Sequence, residues 1–319
     1  MAPRKLLERL DRFQRSHRFT AVGVGVFKKF GDDEAGKHAA LIAYYGFFSL
    51  FPLLLVFVTL LGFFLGAHSR FQDNVVHSVL GRFPVIGQQL RVHSLKGSGL
   101  ALVIGIAGSL WGGIGGVQAA QSAMDTVWGV PRKTRPNFIN SRVRALLLLV
   151  VLGVGIILST VAAGAAGGSS HGWPFKVAGI AISLAINGAL YLAAFRLLTV
   201  AHVGWRKLVP GALIGAVAGA VLQAVGGYYV GHQLSGASQT YGLFAMVIGL
   251  LSWLYLQAQV TLLAAEVNVV LADRLWPRSL VADAPTSADE AALRQLAEME
   301  ERRPDEDVRV RFERDRRAG

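Results

Sequence analysis

Between Ala35 and Ala272 the chain carries only three acidic side chains, Asp73, Asp125 and Glu266. The other 17 of its 20 carboxylates lie in the first 34 residues or from Asp273 onward. So long a stretch with so few charges cannot keep a soluble surface wet. Soluble domains carry about a quarter charged residues; this chain carries 16%, against 53% apolar. The middle of the chain is therefore built for a lipid exterior. The first 38 residues are charged throughout, so the first apolar stretch is expected to stay in the membrane rather than act as a cleaved leader. There is no cysteine, which excludes disulfides, thiolate metal sites and cysteine nucleophiles.

A helix needs about 20 largely apolar residues to cross the hydrocarbon core. Six stretches qualify: Ala39–Gly66, Leu100–Ala120, Ala145–Gly167, Val177–Val200, Leu208–Val230 and Leu243–Leu271. The expected fold class is all-α, a polytopic membrane protein of six transmembrane helices. The join Gly167–Lys176 is short and rich in Gly and Ser, which predicts a tight hairpin. Lys and Arg set the orientation. With six spans, 27 of the 32 fall on the side of the termini and 5 on the other. The short connecting loops alone divide 8 against 5. Both termini are thus expected in the cytoplasm, and most of the +12 net charge reads as topology. No basic module with interleaved aromatics appears, so nucleic acid is not an expected partner.

Three regions follow: a cytoplasmic basic amphipathic segment over 1–38, the membrane domain over 39–276, and a polar, partly disordered cytoplasmic tail over 277–319. Within Arg4–Arg18, Leu6, Leu7, Leu10 and Phe13 share a helical face, with Arg9, Arg12 and Arg15 elsewhere. Such a helix suits either the anionic inner leaflet or a seat on cytoplasmic loops. The loop Ala67–Gly99 is expected outside, with a short interfacial helix ahead of Pro84. Its His68, His77 and His93 lack close metal-ligand spacing. In the tail, Ser287 and Glu290 pair as a capping box ahead of Leu293, Leu296 and Met299, and order is expected to end near Arg302.

Small and polar residues inside the spans fall into stripes. Gly108, Gly112 and Gly116 recur every four residues in the second span, and Gly211, Gly215 and Gly219 in the fifth. That spacing stacks them on one face, where backbones approach closely and pack by dispersion. These are helix-packing faces, available to a monomer or to a homo-oligomer. Tyr45, Ser49 and Pro52 share a face of the first span, and Pro52 is expected to kink or break it. Ser252, Gln259 and Glu266 recur every seven residues in the sixth span. Intramembrane ionisable groups are costly and mark functional sites by default. A polar cluster is therefore expected near the cytoplasmic side, drawing on Gln118, Gln121, Asp125, Arg196, Glu266 and Asn268, with Arg196 pairing Glu266 or Asp125. The alternative for Arg196 is that it snorkels to the headgroups.

Four stretches, in order, carry a resemblance. HAALIAYYGFFSLFPLLL (His38–Leu55), SAMDTVWGVPRKTRP (Ser122–Pro136), WRKLVPGALIGAV (Trp205–Val217) and TYGLFAMVIGLLSWLYLQAQVTLLAAEVN (Thr240–Asn268) resemble the signature of the YihY/virulence factor BrkB family of bacterial inner-membrane proteins. The likeness spans about Phe27–Pro277. Asp125 departs from it, standing where many members have Asn, and Ala265 replaces the Gly that usually precedes the Glu. The resemblance implies a six-helix bundle in the plasma membrane and no settled activity. Members were once labelled ribonuclease BN. Against that label, the eight histidines form no H-x-H or H-x-x-x-H pair, and a metal-dependent nuclease needs clustered ligands. No serine elbow or phosphate loop is present. The expectation is therefore a non-enzymatic membrane protein without cofactor or metal, in contact with membrane lipids. Its expected role is transporter-like, for a lipid, amphiphile or small solute. A non-transporting envelope scaffold is the alternative.

Overall fold

The computed structural model describes residues 2–65, 99–167, 173–200, 203–229, 235–281 and 284–312. Nine α-helices make up the described chain: α1 (Ala2–Ser16), α2 (Arg18–Asp32), α3 (Ala35–Leu65), α4 (Gly99–Val127), α5 (Phe138–Gly167), α6 (Trp173–Leu198), α7 (Trp205–Tyr229), α8 (Ser235–Ala272) and α9 (Ser287–Glu298). There is no strand among the described residues. The expected external loop, with its three histidines, and the tip of the Gly167–Lys176 hairpin lie outside the described residues. The acid-poor stretch coincides with the run from the start of α3 to the end of α8.

Among the described residues five helices, α4 to α8, are long and apolar enough to cross a membrane. Along much of α7 the packing is the reverse of that in a soluble bundle. On α7 the branched side chains Leu213, Val217, Val221 and Val225 face outward, while Gly211, Ala212, Gly215 and Ala216 are buried. Lipid tails are as apolar as leucine, so nothing drives large side chains inward; small residues let the backbones meet. The 38-residue α8 is the central post, touching α2, α3, α4 and α7.

Both glycine ladders are packing faces. A Cβ on Gly112 would stand 2.8 Å from the Ser49 backbone, and one on Gly108 3.0 Å from the Pro52 ring. Tyr45 lies across Gly115 and Gly116. The second ladder receives Ala264 and Asn268 of α8 at Gly211, and Tyr191 of α6 at Gly215 and Gly219. Both ladders are thus occupied within one chain. Pro52 does not break α3, which runs through it as a single helix. The Ser49 hydroxyl donates to the Gly46 carbonyl at 2.9 Å.

At one end of the bundle the N-terminal helices and the C-terminal segment form a polar collar. Buried Arg278 bridges Asp32 (2.8 Å) and Asp289 (2.6 Å). Gln14 donates to the Arg278 carbonyl at 2.8 Å, and the Leu280 amide donates to Asp11 at 2.7 Å. The capping box of α9 sits one residue earlier than the spacing suggests: Thr286 is the N-cap and Asp289 its partner. Asp289 outcompetes Glu290 because its short side chain also takes the Ser279 amide and Arg278. Order continues past Arg302, since Lys133 reaches Glu301 (2.8 Å) and the Glu306 carbonyl (2.8 Å). The loop after α4 takes Glu300 and Glu301 through Arg132 and Lys133, while Arg303–Asp305 and Arg309–Asp307 pair within the exposed tail itself.

Burial pushes the Asp289 carboxyl up, but the hydrogen bonds from Arg278, Thr286 and Ser279 prevail and hold it well below the usual carboxylate range. A depressed folded value contributes stability above the ordinary carboxylate pKa of about 3.9. That contribution is lost as pH falls through the lower folded value. The protection of the 287–298 amides, taken relative to their intrinsic exchange rate at each pH, should therefore fall on strong acidification, and Asp289→Asn should lower it at every pH. Unchanged protection in D289N would refute this hub.

Candidate functional site

Ser183, Asn187 and Tyr191 recur every four residues on α6 and stand on one face of it. They line a cavity of about 470 Å³ shared with α7 (Ala216, Gly219, Ala220, Gln223, Ala224) and with Gln257 of α8. Its position is the middle of all three spans. Tyr191 is fixed at the cavity edge: its hydroxyl lies 3.4 Å from Thr261 Oγ1, and Thr261 donates to the Gln257 carbonyl at 2.8 Å. The missing side chains of Gly215 and Gly219 make room for its ring. Among the described residues the wall thus offers hydroxyls and carboxamides, and no ionisable group but the tyrosine phenol. Polar side chains are costly in hydrocarbon, so hydroxyls and carboxamides set in a largely apolar wall at that depth mark a candidate site.

A second polar feature lies where the bundle meets the collar. Lys29 of α2 is buried against Asp33 at 2.5 Å, with its Nζ 3.9 Å from Glu266 of α8. Glu266 is 0% exposed, and neither of its carboxylate oxygens has a conventional hydrogen-bond partner. Burial pushes the Asp33 carboxyl up, against the pull of the Lys29 ammonium. This node joins the N-terminal segment to the last membrane helix.

The residues expected to form one cytoplasmic cluster are distributed over several places. Gln121 joins α4 to α5 through Ser141, whose hydroxyl donates to its carbonyl oxygen at 2.5 Å. Asp125 is buried on α4 and faces the charges of Arg135 and Arg144. Gln118 and Gln259 are half-buried, and Ser252 is exposed. Arg196 pairs with neither acid. It is exposed at the end of α6, and its guanidinium donates to the Val203 carbonyl at 3.3 Å. A flexible stem lets arginine keep its charge at the surface, which costs less than burying it. Tyr45, Ser49 and Pro52 are filled in against the α4 glycines.

Sequence reasoning missed Lys29, Asp33 and the α6 stripe. Each had a signal. Ala21, Gly25 and Lys29 recur every four residues, a small-residue face that ends in a lysine. Ser183, Asn187 and Tyr191 keep the same period inside a span.

Comparison with known proteins bears on what this architecture is. The profile of the virulence factor BrkB family matches residues 26–288. A UPF0761 membrane protein of Azotobacter vinelandii is 27% identical over 269 residues, covering 80% of this chain and 64% of that protein. The chain thus spans less than two thirds of that relative's length. The ribonuclease-like protein YfkH of Bacillus subtilis is 23% identical, over 78% of this chain and 94% of its own length. The inner membrane protein YhjD of Escherichia coli is 23% identical, over 75% and 77%. No solved structure matches. With the profile covering most of the chain and several membrane-capable helices beneath it, the chain belongs to the virulence factor BrkB family and is a multi-pass protein of the bacterial inner membrane.

Proposed function

We propose that the chain is a transporter-like, non-enzymatic protein that accepts an amphiphile or small solute in the cavity between α6, α7 and α8. The observation that carries this is the set of uncharged polar groups in its wall at mid-membrane. Its volume of about 470 Å³ falls within the range of about 300–1,000 Å³ typical of ligand pockets. Polar groups placed in a span are costly, and such positions mark substrate pathways. Hydroxyls and carboxamides select a ligand group rich in hydroxyl or amide, not an isolated phosphate, which would demand Arg or Lys. The sequence carries no ATP-binding motif, so movement through this site is passive or ion-coupled.

The topology proposed is six spans with both ends in the cytoplasm. Parity supports it. Asp32 and Gln14 near the N-terminus bind Arg278 near the C-terminus, so the two ends share a side and the number of crossings is even. Five helices qualify on described residues; the 31-residue α3 supplies the sixth. A membrane-impermeant maleimide in spheroplasts tests this on the cysteine-free chain: single cysteines at Ser16 and Ser287 should stay unlabelled until the cells are opened.

Native mass spectrometry of protein extracted with its lipids, followed by liposome flux of whatever is retained, tests the cavity. Asn187→Leu with Gln257→Leu should remove the retained molecule, whereas Ser252→Ala on the exposed face should keep it. Retention unaffected by the double substitution, or no retention and no flux in the unaltered protein, would leave the scaffold reading. In that reading the collar would be the functional surface.

A further inference from the structure

Helix α1 packs the wrong way round for a soluble protein. Its polar edge is the buried one: Asp11 and Gln14 are held by the Leu280 amide and the Arg278 carbonyl. Its apolar side chains point away from the protein. Leu7, Leu10 and Phe13 are 46%, 47% and 56% exposed. They recur every three residues and form one stripe, and Lys5, Arg9 and Arg12 are exposed too. On α2 the same exterior continues with Phe19, which is 92% exposed.

A helix in water buries its apolar stripe. A contiguous exposed stripe marks a surface that something else covers. Two features of the molecule say what. The collar sits at the end of a bundle already in the membrane, and at 3.6 residues per turn Arg9 borders the stripe while Lys5 and Arg12 stand on the far, polar side of the helix. That is the layout of a helix lying in a bilayer interface: apolar side chains enter the acyl boundary, and cations meet anionic headgroups. We infer that α1 lies on an anionic bilayer surface, with Leu7, Leu10 and Phe13 inserted, and so holds the collar down on the membrane. The Lys29–Asp33–Glu266 node then joins an element seated on the lipid to the last membrane helix.

The chain has no cysteine, so single spin labels can be placed without altering any native thiol. The full-length protein is reconstituted in nanodiscs of mixed phosphatidylglycerol and phosphatidylethanolamine, with labels at Leu10→Cys, Phe13→Cys or Arg12→Cys. Collision rates with oxygen, which partitions into lipid, and with a water-soluble nickel chelate report immersion. Nanodiscs present the same lipid on both faces, so the readout is independent of which terminus faces the cytoplasm and of whether the cavity binds a ligand. The oxygen-to-nickel ratio at 10 and 13 should exceed that at 12 several-fold, and the contrast should shrink in pure phosphatidylcholine discs. Labels at 10 and 13 as open to nickel as the label at 12 would overturn the inference. So would labels shielded from both reagents, which would mean a covering by protein, a second copy included. Equal contrast in phosphatidylcholine would overturn the anionic requirement.

Discussion

Replacing Lys29 with methionine is expected to destabilise the protein more than any other single change at the bundle–collar boundary. The substitution keeps the aliphatic stem and removes the ammonium. Asp33 and Glu266 would then face one another, buried, with no cation within reach. Removing one partner of a buried ion pair costs about 3–5 kcal/mol, because the remaining charge stays out of water. Glu266→Gln should be far milder, since Lys29 keeps Asp33 at 2.5 Å. The double variant K29M/E266Q should recover part of the loss. A thermal unfolding series in detergent on the two single variants and the double measures this coupling directly. Additive effects, or a K29M protein as stable as the parent, would mean that the node is structurally inert.

The second large effect is expected at Gly211. A Cβ there would overlap the carbonyl oxygen of Ala264 and the side-chain amide of Asn268. The first is backbone within α8 and cannot swing aside. The second would have to move, and with it goes the hydrogen bond that the Gly211 amide donates to Asn268 at 2.7 Å. Overpacking costs about 1–3 kcal/mol and the lost hydrogen bond about 0.5–1.5 kcal/mol. Gly211→Ala should therefore lose about 2–4 kcal/mol. Gly153→Ala is the matched control, because a Cβ there meets nothing within 4 Å. If both variants unfold at the same temperature, the α7–α8 contact is looser than the geometry states.

The glycine ladders show how far pattern reading reaches in a membrane. Four-residue spacing identified Gly108, Gly112 and Gly116, and Gly211, Gly215 and Gly219, as close-approach faces; the helices meet there. Spacing could not say which helix each face meets. The polar residues show the limit more sharply. Arg196, Asp125 and Glu266 were expected at one depth, and depth alone made them candidates for one cluster. Azimuth decided otherwise. Asp125 turns toward Arg135 and Arg144, Glu266 toward α2, and Arg196 outward. Lys29 was invisible as a partner because it lies 237 positions from Glu266 (266 − 29) on a helix that reads as a cytoplasmic appendage.

By itself, the sequence determined that this chain lives in lipid. A 238-residue stretch (35 to 272) with three carboxylates cannot be solvated, and apolar length sets where helices cross. These are one-dimensional properties, so a string of residues carries them completely. Only the tertiary structure decided which polar groups share a pocket and which cation stands beside the buried glutamate. It also decided that α1 turns its apolar stripe away from the protein. Those outcomes depend on how each helix is rotated about its axis and on contacts between residues hundreds of positions apart. Spacing along a helix gives a face but not the neighbour that the face meets, and here the close fits of Gly112 on Ser49 and Gly211 on Ala264 set that choice.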